Sequence, residues 1–179
     1  HGCACPENFG ICKLIAITFN QIKMKKIMIM VALFATTFAQ HASAKIVTDK
    51  SQLLDLYYNI KDALVTGNSN EATAKAAAFV TTLQAIDEKA ISSDNRNALL
   101  KYAGLIAATK ELQHQREHFA DFSTSMATLL KAVKLTDKPV YQAYCPMKKA
   151  YWLSNTKEIK NPYYGSAMLT CGKVTDTIQ

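Results

Sequence analysis

From Lys45 to Lys134 the chain contains no proline. That absence constrains the fold more than any motif, because proline removes a backbone donor and breaks a helix interior. Apolar residues in this stretch recur at three- and four-residue steps, the spacing of one helical face. Ser51 can cap a first helix that buries Leu53, Tyr57, Ile60 and Leu64, and Gly67 supplies a left-handed stop. Asn70 can cap a second, with Ala72, Ala76, Phe79, Val80, Leu83 and Ile86 along one face. Ser93 or Asp94 opens a third, which turns Leu99, Tyr102, Ala103 and Ile106 inward. The fourth is the clearest, with Phe119, Phe122, Met126, Leu129 and Val133 in one stripe. Four helices with short links predict an all-α fold, an up-down four-helix bundle.

Prolines return at Pro139, Pro146 and Pro162, and the composition shifts near Thr136. Beyond that point the runs are short and rich in Tyr, Pro, Asn and Gly, which predicts an irregular, β-like C-terminal cap and not a fifth long helix. Trp152 is expected to anchor the cap, since a large aromatic supplies burial that a loop-rich backbone does not. One domain is therefore expected over residues 45–179, with a bundle at 45–135 and a Cys/Met/Trp cap at 136–179.

Residues 24–44 read as a signal peptide: Met24-Lys-Lys, an apolar run too short to span a bilayer comfortably, and a small-x-small site at Ala42-Ser-Ala44. Residues 1–23 precede this candidate initiator, carry Cys3, Cys5 and Cys12, and read as upstream translation without a structural role. No cysteine follows the apolar run at the cleavage site, which argues against a lipid anchor. A periplasmic or secreted product with no membrane anchor is expected. Its Lys and Arg number 17 against 13 Asp and Glu and are scattered along the chain, so nothing suggests a nucleic-acid partner.

Two cysteines remain in the exported part, each within a turn of a methionine: Cys145-Pro-Met147 and Met168-Leu-Thr-Cys171. Proline pushes the residue before it toward extended geometry, which predicts that Cys145 and Met147 face one side. The i, i+3 spacing of Met168 and Cys171 does the same through one helical turn. Two thiolates and two thioethers suit one soft ion, Cu(I) first and Zn(II) second. The same cysteines in an exported chain also suit a disulfide, Cys145 to Cys171, which would contribute roughly 3–4 kcal/mol by loop closure. On the residues alone both readings stand.

His114-Gln-Arg-Glu117-His118 matches the inverted zinc-protease pattern. The protease is rejected because only Glu158 follows to complete such a site and the domain is small for that chemistry. His118 borders the apolar stripe through Phe119 and Phe122 and stands as a further candidate metal ligand, beside the reading of a half-buried helix histidine. There is no Gly-rich phosphate loop, no Gly-x-Ser-x-Gly elbow and no Cys-x-x-Cys pair. The chain is not expected to be an enzyme.

At several of these positions the sequence resembles a family of uncharacterised bacterial periplasmic domains, found alone or appended to the adaptor subunits of copper/silver-type heavy-metal efflux systems. The residues that carry the resemblance are Tyr57-Tyr-x-Ile-Lys61, Gln115-Arg-Glu-His-Phe119 with Ser123, Cys145-Pro-Met147, Trp152-Leu-Ser154, and Asn161-Pro-Tyr-Tyr-Gly165-x-x-Met168-Leu-x-Cys171-Gly172. Between Met147 and Trp152 the chain departs from the family, with a compact Lys148-Lys149-Ala150-Tyr151 where a longer, glycine-containing linker is usual. The resemblance implies a helical domain that binds copper in envelope metal handling or efflux, with Cys145, Met147, Met168, Cys171 and His118 at motif positions. An efflux adaptor or a metallochaperone is the implied partner. With the resemblance added, metal binding moves ahead of the disulfide, and a disulfide-stapled interaction module with Trp152, Tyr163 and Tyr164 on its binding face is the alternative.

Overall fold

Among the described residues four α-helices form in the proline-free stretch: α1 (Ser51–Thr66), α2 (Ser69–Ala85), α3 (Ser93–Ala107) and α4 (Leu112–Ala132). The computed structural model describes residues 50–178. The stretch 1–23, read as upstream translation, and residues 24–44, read as a signal peptide, lie outside the described residues. Each helix packs on the next in sequence. The inward positions read from the periodicity are enclosed: Leu53, Tyr57, Ile60 and Leu64 of α1, Phe79 and Leu83 of α2, Leu99 and Ile106 of α3, and Phe119, Phe122, Met126 and Leu129 of α4 are all fully buried. Burial of each such large side chain contributes about 1.5–3 kcal/mol before entropy is subtracted. Among the described residues no helix is long and apolar enough to cross a membrane.

The helix ends show which local signals dominate. Gly67 takes φ 77° and donates to the Ala63 and Leu64 carbonyls, closing α1 as expected. Asn68, not Asn70, caps α2. Its Oδ1 accepts from the Glu71 N–H at 3.1 Å and its Nδ2 donates to Glu71 Oε2 at 3.1 Å, a reciprocal pair that starts the helix two residues early. Arg96 of α3 donates to the Leu83 carbonyl at 2.7 Å and the Ile86 carbonyl at 2.9 Å, satisfying acceptors at the end of α2.

The expectation of an all-α bundle with an irregular cap is overturned. Beyond α4 the chain forms β1 (Val140–Cys145), β2 (Ala150–Ser154) and β3 (Lys173–Ile178), a three-stranded antiparallel sheet in the order β2-β1-β3. The fold is helical bundle plus sheet. Val140, Ala143, Cys145, Trp152 and Leu153 are buried, whereas Tyr141, Tyr144 and Tyr151 are half-buried or exposed. With tyrosine on the outward positions, the polar half of the two-residue alternation is missing, and the strand signal is blurred. Pro146 sits in the four-residue turn between β1 and β2, where its lack of an N–H costs no ladder bond. Lys149 completes that turn at φ 56°.

In the sheet β2 packs on α4, and its Leu153 meets Tyr57 of α1. The rings of Tyr57 and Phe119 stack at 5.4 Å, and Phe122 lies 5.5 Å from Tyr57 and edge-on to Phe79 at 4.8 Å. In the middle of this aromatic filling the Tyr57 hydroxyl shares a hydrogen bond with Ser123 Oγ at 2.7 Å and accepts the Leu153 N–H at 2.9 Å. One phenol thus joins α1, α4 and β2. Burial pushes its ionisation far above the usual tyrosine range. Tyr57→Phe leaves a strand N–H unpaired in the core and is expected to lower unfolding free energy by about 1–3 kcal/mol in urea titration. Because the folded state keeps this phenol protonated where the unfolded chain loses the proton, stability should hold below pH about 10 and fall above it. In Tyr57→Phe that alkaline slope should be shallower.

Candidate functional site

Cys145 closes β1 and is fully enclosed. Cys145 is extended, as the proline after it predicts, and the chain then turns back over Pro146–Lys149, so that the Lys148 N–H donates to Cys145 Sγ at 3.4 Å. A second donor reaches the same sulfur, Asn161 Nδ2 at 3.2 Å. Cys171 follows the 3-10 turn Gly165–Met168 and is half-buried; its N–H donates to the Met168 carbonyl at 3.1 Å, the one-turn closure expected for that pair. Burial pushes the Cys171 thiol above its ordinary range, and the charge and hydrogen bonding of Cys145 add to the shift. One side-chain nitrogen, Asn161 Nδ2, reaches both cysteines, so they are neighbours although 26 residues apart in sequence, and both are free thiols.

Asn161 makes them neighbours. It is fully buried, and its amide donates to Cys145 Sγ and, at 2.7 Å, to the Cys171 carbonyl. Its Oδ1 accepts the Tyr163 N–H at 2.8 Å, its own N–H reaches the Leu169 carbonyl at 2.8 Å, and its carbonyl accepts the Gly165 N–H at 3.0 Å. Every polar group of this one residue is occupied, and its amide nitrogen ties the loop to the end of β1. Residue-by-residue reading missed this role. The available signal was Asn161-Pro162, in which an asparagine commonly bonds the backbone two residues on.

Two glycines explain how the loop lies so close. A Cβ on Gly172, at φ 149°, would meet Trp152 Cη2 at 2.6 Å and the Tyr144 carbonyl at 3.0 Å. Trp152 is buried, sits edge-on to Tyr163 with ring centres 6.1 Å apart, and forms the floor under the residue after Cys171. A Cβ on Gly165, at φ 55°, would meet Arg116 Nη2 at 2.5 Å and the Val65 carbonyl at 2.8 Å. Arg116 in turn donates to the Leu64 carbonyl at 2.8 Å, and burial lowers its ionisation range. The Gln115-Arg116 dipeptide is thus a brace between helices, with Gln115 Nε2 donating to the Ser69 and Thr109 carbonyls and to Thr73 Oγ1.

The methionines lie at the surface. Met147 occupies the β1–β2 turn and is 61% exposed; Met168 ends the 3-10 turn and is 39% exposed. His118 is half-buried on α4, and among the described residues no three His, Cys, Asp or Glu side chains gather where they can hold a metal. His114 pairs at the surface with Glu111 at 3.3 Å.

A DUF3347 domain, described as a protein of unknown function, is found at residues 53–138. The match takes in nearly all of the four helices and ends just before β1, short of the thiol loop. No curated protein and no solved structure matches the chain.

Asn161→Ala removes the donors to Cys145 and Cys171 together with the acceptor for Tyr163, and is expected to cost about 3 kcal/mol of unfolding free energy by chemical denaturation. The reactivity of Cys171 toward a thiol reagent should rise in the same variant as the loop lifts from β1.

Proposed function

We propose that this domain holds one soft metal ion, Cu(I) in preference to Zn(II), between Cys145 and Cys171, as an exported scavenger, chaperone or efflux accessory in the cell envelope. It binds and passes the ion without catalysing a reaction. The observation that carries the reading is the pairing of two thiols, one of which already receives two N–H donors. Two sulfurs so close can close on one ion, which binds them as thiolates. Met147 and Met168 stand exposed beside their cysteines, within reach of solvent and of an incoming ion. Soft sulfur ligands select Cu(I) over hard divalent ions, while Zn(II) asks for four strong donors that two cysteines and two thioethers do not supply. The leader at residues 24–44 supports a periplasmic or secreted setting, and the resemblance to domains appended to efflux adaptors supports such an adaptor, or a metallochaperone, as partner.

The test is Cu(I) titration of reduced protein against a colorimetric chelator. One equivalent is expected to bind, with affinity rising about tenfold per pH unit for each thiol proton displaced, because the raised Cys171 thiol is protonated in the metal-free form. Cys145→Ser with Cys171→Ser should abolish binding, and Met147→Leu or Met168→Leu should weaken it. Stoichiometric binding that survives the double serine variant sinks the proposal. The same proximity favours a second reading, a Cys145–Cys171 staple in an oxidising compartment. Protein isolated without reductant that is two hydrogens lighter and takes up no metal until reduced would support the staple.

A further inference from the structure

We infer that the sheet end surrounding the two thiols is a docking surface for an acidic protein that offers its own methionine or cysteine side chains, a partner assignment that rests on the metal reading above. Five large apolar side chains are exposed among the described residues, and four of them, Met147, Tyr151, Met168 and Leu169, belong to this one end of the molecule. The hydrogen bonds and register place them together. Tyr151 pairs across β1 with Tyr144, and Tyr144 pairs with Lys173 of β3. The Leu169 carbonyl is held by the Asn161 N–H, and the Asn161 amide reaches Cys145 Sγ. At the same end of the sheet lies a depression of about 280 Å³ lined by Tyr144, Pro146, Gly172 and Lys173.

Charge says what covers this patch. Lys149 and Lys173 are exposed at its edge and Lys148 is half-buried. No Asp or Glu occurs from Cys145 to Lys157 or from Ile159 to Thr175. An apolar centre with a rim of one sign fits a partner of the opposite sign, which steers the encounter and fixes its orientation. A protein is favoured over an anionic bilayer because three of the four apolar side chains are only about two-fifths exposed, a flat patch rather than an inserting spike. The exposed thioethers also place donors where a second protein's sulfur can displace them one at a time.

The experiment mixes the full reduced chain, free of metal, with a short synthetic peptide alternating glutamate and methionine, follows binding by heteronuclear NMR, and repeats it with a lysine–methionine peptide and with phosphatidylglycerol vesicles. The acidic peptide is expected to bind, with shifts confined to the segments around Met147, Tyr151 and Met168, and to weaken with added salt. Combined Lys149→Glu and Lys173→Glu should weaken it about tenfold or more. That variant should still bind one equivalent of Cu(I), whereas the double cysteine-to-serine variant should lose Cu(I) and keep the peptide. Failure of the docking surface and failure of the metal site are thereby separable. No binding of the acidic peptide, equal binding of the basic one, indifference to the charge reversals, or tighter binding to the vesicles overturns the inference.

Discussion

The Tyr57 hydroxyl is the point on which the arrangement turns. Helices and sheet have no backbone ladder in common, so something must set where the sheet sits on the bundle. Apolar packing alone tolerates sliding, since it is non-directional. A phenol that meets Ser123 on one side and the Leu153 N–H on the other does not tolerate it. Buried in a ring of Phe119, Phe122 and Tyr163, it has no water to fall back on, and the strand must stay in the one place where its N–H is satisfied. From that fixed strand the rest follows in sequence. Leu153 fixes Trp152, Trp152 carries Gly172, and Gly172 delivers Cys171 to the end of β1.

The thiol pair therefore belongs to the whole fold and not to a local motif. Cys145 is presented by a strand whose partner is pinned to the helices. Cys171 is presented by a loop pinned at two places, by Asn161 to β1 and by Gly165 against Arg116 and the end of α1. Arg116 connects the two systems, because the guanidinium that closes α1 at Leu64 is also the surface on which Gly165 rests. This divides the labour along the chain. The stretch covered by the DUF3347 domain builds the platform, and the segment after it carries the sulfur chemistry.

How much of this was legible beforehand depends on the range of the interaction. Helix faces were readable because the repeat that buries Phe119, Phe122 and Met126 is local, and Gly67 was readable because only its own φ matters. The Asn68 cap was missed by two residues, since Asn68, Ser69 and Asn70 offer similar oxygens and only Glu71 decides among them. The sheet was hidden by tyrosines on its outward positions and by Pro146, which looks like a strand breaker until a turn is seen around it. Tyr57, Ser123, Asn161 and Arg116 carried the resemblance, yet their partners lie on other elements, and no spacing rule along a chain points to a partner of that kind. The cysteines themselves were legible as chemistry; their meeting was not.

The outer strand has a property of its own. In the β1–β3 pairing Gln142 faces Asp176 and Ala143 faces Val174, so Thr175 is an extra residue, and its hydroxyl donates to the Gln142 carbonyl at 3.1 Å. An interruption of this kind bends the strand and spoils the regular row of donors and acceptors along its free side. A sheet of three strands with a straight free margin invites the same strand from another molecule to add on, the first step toward fibres. With a threonine bulged out and aspartate beside it, the β3 margin is a poor template for such an addition, and of the two edges of the sheet it is the guarded one.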